Sequence, residues 1–224
     1  MSSSVDLWYA TRATGLAALV LLSATVVLGI STAGRATSGR WPGFARAELH
    51  KRVSAATVVL LAVHVLTSVL DTYVHIGWAS IVLPFSSLYD RFWTGLGTVG
   101  ADLMAAVLVS SALRRAIPAR AWRGLHWLAY ASWPVAVAHA VGMGTDLRLA
   151  AVDALVASCI LAVLVAATSR LVGALRRRAA RPTLAGPQLR RTYRGIPGQR
   201  AIRHEHLVRA TGPTLPATAP TQGH

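Results

Sequence analysis

Four histidines lie where a chain rarely places ionisable groups. His50 and His64 fall in the apolar stretch LHKRVSAATVVLLAVHV, residues 49–65. His126 and His139 fall in WRGLHWLAYASWPVAVAHAVG, residues 122–142. An imidazole in apolar surroundings hydrogen-bonds a carbonyl, relays a proton or binds a metal. Zinc usually takes four ligands, and neither a cysteine nor a carboxylate cluster joins these histidines. The single cysteine, Cys159, sits in another apolar run and reads as a core residue. A proton relay favours Asp or Glu along its path. Haem iron takes two axial ligands from opposite sides, and its apolar macrocycle suits a pocket between helices. Haem therefore fits two converging imidazoles best, with ligation that favours electron transfer over oxygen binding.

The elements that must carry these residues are helices. The chain has 224 residues, 54% of them hydrophobic, and a formal net charge of +15. Its mean hydropathy is +0.48. Runs of about 17–25 apolar residues span a bilayer as helices, because lipid offers no partner to exposed backbone groups. Five spans are expected, at 8–30, 48–70, 97–114, 122–143 and 149–173. The expected fold is all-α, a polytopic membrane bundle, with one haem-carrying domain over 1–175 and a basic, disordered tail over 176–224. The opening segment lacks a basic n-region and reads as the first span rather than a cleaved signal.

Arg and Lys gather in the first and third loops and at the start of the tail, while the second and fourth loops are poor in them. Positive loops stay cytoplasmic, so the N-terminus is expected outside and the C-terminus in the cytoplasm of a plasma-membrane protein. The basic excess follows topology and does not indicate nucleic acid as a partner. The outer segment IGWASIVLPF, residues 76–85, is too short to span and is expected to lie on the outer surface as a cover. Trp78, Trp93, Tyr73 and Tyr89 suit an interfacial belt.

Spans two and four then run parallel, with His50 and His126 at the cytoplasmic ends and His64 and His139 deeper. A rise of 1.5 Å per residue separates His50 from His64 by roughly 21 Å. At about 100° per residue these two fall within roughly 40° of one face. His126 and His139 do not, and Pro134 between them is expected to change the winding. Gly15, Gly29, Ala55, Ala56, Ala62, Ala136, Ala138 and Gly142 would let helices approach a flat cofactor.

The double pattern, H-x13-H at His50 and His64 with H-x12-H at His126 and His139, resembles the ferric-reductase-like transmembrane domain. That family includes NADPH oxidases, iron reductases and the haem-binding membrane subunit of bacterial methionine-sulfoxide repair. The resemblance covers residues 8–173. It implies two b-type haems, an inner one on His50 and His126 and an outer one on His64 and His139. Many relatives have six helices, and the oxidases and iron reductases add a cytoplasmic flavin and NADPH domain. Here residues 176–224 are too few and too polar to build one, and the chain has no GxGxxG and no phosphate loop.

Haem propionates want basic partners. Arg46, Lys51, Arg52 and Arg123 are available on the inner side, where they also set topology. Arg12, on the outer side, is expected to pair with Asp102 or to meet an outer propionate. Arg91 and Arg148 are more peripheral. His75 is a further outer histidine, and Trp127 and Trp133 flank the histidines of span four.

The expected function is that of a membrane cytochrome b, an oxidoreductase component that conducts electrons between two bis-histidine haems. Its expected partners are a separate flavin-containing or other redox protein, membrane quinone and membrane lipids. One alternative is a non-haem transporter or assembly subunit with structural histidines. Another is a cytochrome-b561-like, quinone-linked cytochrome.

Overall fold

The computed structural model describes residues 2–32, 42–71, 74, 76–144 and 150–180. The described residues form helices and short turns. Six α-helices follow in order: α1 (Ser2–Thr32), α2 (Gly43–Leu70), α3 (Arg91–Ala112), α4 (Ala119–His126), α5 (Leu128–Met143) and α6 (Ala150–Ala179). A single 3-10 turn, Trp78–Ile81, lies between α2 and α3. The chain divides after Arg176, and the first unit, Met1–Arg176, holds the four helix-borne histidines. The expected basic tail, with His204, His206 and His224, lies outside the described residues from 181 onward.

Four helices are long and apolar enough to cross a membrane: α1, α2, α3 and α6. The fifth expected span is instead two helices, broken at Trp127. Its apolar part, α5, has 16 residues. At 1.5 Å per residue that is about 24 Å, short of a hydrocarbon core of about 30 Å. The break has a local cause. Trp127 N–H reaches back to both Arg123 O (3.3 Å) and Gly124 O (3.1 Å), and Tyr130 N–H bonds Trp127 O at 3.0 Å. The bonds to Gly124 O and Trp127 O are tight, three-residue closures. Gly124 adds a weak helix former just before them. Pro134, expected to change the winding, sits inside α5 without ending it.

Prolines start two of the helices. Pro42 precedes α2 and Pro118 precedes α4, and their carbonyls accept from Ala45 N (3.1 Å) and Trp122 N (3.0 Å). A proline there gives up no bond, since the first N–H groups of a helix have no intrahelical acceptor.

The helices pack as two antiparallel pairs. In the first, α1 runs against α2, joined by Thr25 Oγ1 and Thr57 Oγ1 at 3.3 Å. In the second, α3 runs against α5. There Ser132, fully buried, donates to Met104 Sδ at 3.3 Å, and Gly100 faces Val135. The pairs are tied together where Trp133 Nε1 of α5 donates to Ser23 Oγ of α1 at 2.9 Å. Val26, Ile30 and Val163 form a small apolar core beside Tyr130 and Trp133. Arg170 of α6 donates to Ile30 O at 2.8 Å, meeting a carbonyl in the last turn of α1.

Outward faces are apolar. Val59, Val63 and Leu66 on α2, and Leu161, Leu164, Val165 and Leu171 on α6, are all exposed. A soluble monomer rarely shows such stripes, whereas lipid solvates them. The apolar length and the apolar surface together make this a membrane protein.

Candidate functional site: two facing histidine pairs

Each histidine pair meets across the two antiparallel units. His64 of α2 faces His139 of α5 with ring centres 6.3 Å apart and planes at 75°. His50 of α2 faces His126, the last residue of α4, with ring centres 6.4 Å apart and planes at 70°. Along α2, one pair therefore lies above the other, its partners supplied by α4 and α5. The roughly 140° rotational mismatch of a thirteen-residue step is absorbed by the break at Trp127. His126 and His139 belong to different helices, so they need not share a face.

Local sequence seats the rings. On α1, Thr11 and Gly15 are one turn apart and share a face. The Thr11 carbonyl accepts from His64 Nδ1 at 2.8 Å, and a Cβ on Gly15 would come within 2.8 Å of His64 Cε1. On α3, Trp93 and Gly97 repeat the device. The Trp93 carbonyl accepts from His139 Nδ1 at 2.8 Å, and a Cβ on Gly97 would lie 2.6 Å from His139 Cε1. Carbonyl oxygens only accept, so Nδ1 carries a proton on both rings, and in the neutral imidazole Nε2 keeps the lone pair. Ligating histidines characteristically donate their other N–H in this way.

The second pair is held less tightly. Gly29, four residues after Thr25, leaves room for His50, with a Cβ there 3.4 Å from His50 Cε1. His50 Nδ1 lies beside the Thr25 carbonyl without closing a hydrogen bond. His126 Nδ1 is buried and unpartnered. Stacking holds this ring instead, with Trp122 at 5.1 Å and 22°.

The pair separations bear on what can sit between the rings. With a metal–imidazole bond of about 2.0–2.1 Å and a ring nitrogen about 1.1 Å from its ring centre, two collinear ligands have centres about 6.3 Å apart. Both pairs match this distance. Among the described residues no three His, Cys, Asp or Glu converge as a metal site. Each pair supplies two nitrogens, and no further His, Cys, Asp or Glu among the described residues joins them, so a metal held there would need other ligands. That donor set fits haem, with a planar macrocycle between two axial imidazoles. A cavity of about 280 Å³ adjoins the His64–His139 pair and is lined by Trp8, Arg12, Thr57 and Met104 among others. Ile76 and Ser80 of the 76–85 segment, and Tyr89 just after it, also line it. Thr98 Oγ1 ties that segment down by donating to Ser80 O at 2.7 Å. The segment expected as a surface half-helix is thus a 3-10 turn and loop over this cavity.

The expected supporting residues fall out differently. Arg12 lines the cavity, its guanidinium 4.4 Å from the centre of the Trp8 ring. The expected pair with Asp102 does not form, since Asp102 makes no ion pair among the described residues. Arg46 is half-buried with Nε unpartnered. Arg52 is on the exposed face of α2, bonded to Glu48 at 2.8 Å. Lys51 and Arg123 are exposed. Trp133 is spent on Ser23, and Trp127 is exposed against Tyr130. Trp93 packs its ring on Gly142, away from the expected belt role. Of the small residues, Gly15 and Gly29 seat rings as well as helices. His75 and Arg148 lie outside the described residues.

Sequence reasoning missed the Thr11 and Trp93 carbonyls, Gly97, and the Trp122 stack. The signal for three of the seats was present as a residue followed four positions later by glycine, at 11/15, 25/29 and 93/97. The carbonyls themselves carry no side-chain signature.

Comparison with known proteins finds no matching family model, no matching curated protein and no matching solved structure.

Proposed function

We propose that the chain is a membrane b-type cytochrome that carries electrons across a membrane between two bis-histidine haems. The observation that carries the reading is the pair of facing imidazoles repeated at two depths, at ring separations of 6.3 and 6.4 Å. On this reading it is a ferric-reductase-like transmembrane domain, sited in the plasma membrane, with N-terminus outside and C-terminus in the cytoplasm. A separate flavoprotein or other redox protein, or membrane quinone, exchanges electrons with it.

Bound haem would supply a one-electron centre at each pair. His64 and His139 would hold one centre, their Nδ1–H groups fixed by carbonyls that raise ligand basicity. His50 and His126 would hold the other. A group held by two imidazoles in this way would favour electron transfer over oxygen binding. Arg12, lining the cavity, offers a cation to an anionic group there. Arg46 does so at the opposite end.

The test is the reduced-minus-oxidised spectrum of protein purified after haem-replete expression. Two b-type haems per chain are expected. No Soret band after haem-replete expression would overturn the haem reading.

A further inference from the structure

The end of the bundle that carries His50 and His126 holds buried donors which the histidine pair does not explain. Arg46 Nε and Trp122 Nε1 are both buried without a hydrogen-bond partner. Arg46 lies one turn before His50 on α2, and Trp122 lies one turn before His126 on α4. Residues four apart share a helix face, and the two histidine rings meet at 6.4 Å. Arg46 and Trp122 therefore flank the same end of the same pair. Trp122 is fixed in place: it stacks on His126, and the Arg114 guanidinium sits 4.5 Å from its ring centre. Guanidinium and indole nitrogens donate and cannot accept. A native structure rarely leaves such groups buried and unmatched, so each one asks for an acceptor. Two N–H donors, one of them cationic, call for an anionic acceptor, and a carboxylate suits both.

We propose that Arg46 Nε and Trp122 Nε1 form a carboxylate-binding site at the His50–His126 end. Resting on the haem reading above, the carboxylate is a propionate of the haem held by that pair. Trp122 then has two tasks. Its ring sets the plane of His126, and its N–H binds the anionic edge of the cofactor. The other end of the bundle is built differently, with both histidines locked by carbonyls.

Trp122→Phe keeps an aromatic ring on His126 and removes the N–H alone. Arg46→Gln removes the charge. Haem content and a potentiometric titration are measured on the full chain. Both variants are expected to keep two haems. In both, the component that disappears in His50→Ala moves to lower potential, because a carboxylate without its donor is more negative and favours ferric iron. The component that disappears in His64→Ala stays in place. Unmoved midpoints in both variants, or equal shifts of both components, overturn the proposal. A wild type without a Soret band overturns the haem reading instead. Loading with haem dimethyl ester separates the sources. If the variant shifts vanish, the carboxylate is the propionate. If they persist, the site takes a free carboxylate and the propionate assignment falls.

Discussion

Gly15 and His64 are in such close contact that a Cβ on the glycine would lie 2.8 Å from the imidazole Cε1. The same relation joins Gly97 to His139, at 2.6 Å. Helix backbone thus forms the wall behind each ring, and glycine at this turn places the carbonyl one turn away within reach of Nδ1.

A graded series of glycine variants tests that wall. Gly15→Ala and Gly97→Ala are expected to displace a ring, at an overpacking cost of about 1–3 kcal/mol. They should lose the haem signal of the His64–His139 pair. Gly29→Ala, where the contact is 3.4 Å, should be milder, and Gly100→Ala, at 3.6 Å from Val135, near neutral. Haem per chain and the thermal midpoint in detergent rank the four. Equal tolerance at all four positions would count against the glycine wall.

Pairing across helices can be read histidine by histidine. His64→Ala and His139→Ala should abolish one spectral component, and His50→Ala and His126→Ala the other. Loss grouped by helix, with His50 and His64 removing the same component, would contradict the facing pairs.

The ring planes cross at 70° and 75°. Ligand planes near perpendicular leave the two iron d orbitals that bond with them almost equal in energy. A strongly axial low-spin ferric electron paramagnetic resonance signal is therefore expected from both centres. Rhombic signals from both would mean parallel planes.

Arg52→Ala is expected to leave haem content and stability unchanged to within about 0.5 kcal/mol, since exposed pairs one turn apart contribute little. Arg170→Ala should cost about 1 kcal/mol, since it removes a cation and a hydrogen bond at the end of α1. Thermal unfolding of the two variants side by side checks the contrast. A larger loss from Arg52→Ala would show that residue reaching more than Glu48.

Much of this protein was legible in its sequence. Apolar runs locate α1, α2, α3 and α6, with ends off by as much as six residues, because lipid demands long helices whose inner faces need no polar code. The two histidine spacings identify the four residues that converge, because near-equal spacings along neighbouring helical runs reach similar depths. Tertiary structure decided the rest. Trp127 breaks the fifth run where Pro134 was expected to bend it, because backbone closures around Gly124 settle the winding and no side-chain type announces them. Arg12 meets Trp8 in place of Asp102, because the rotation of α1 against α3 decides which charges come within reach. The seats at Thr11 and Trp93 use main-chain carbonyls, which every residue possesses, and only packing selects the ones that receive a histidine.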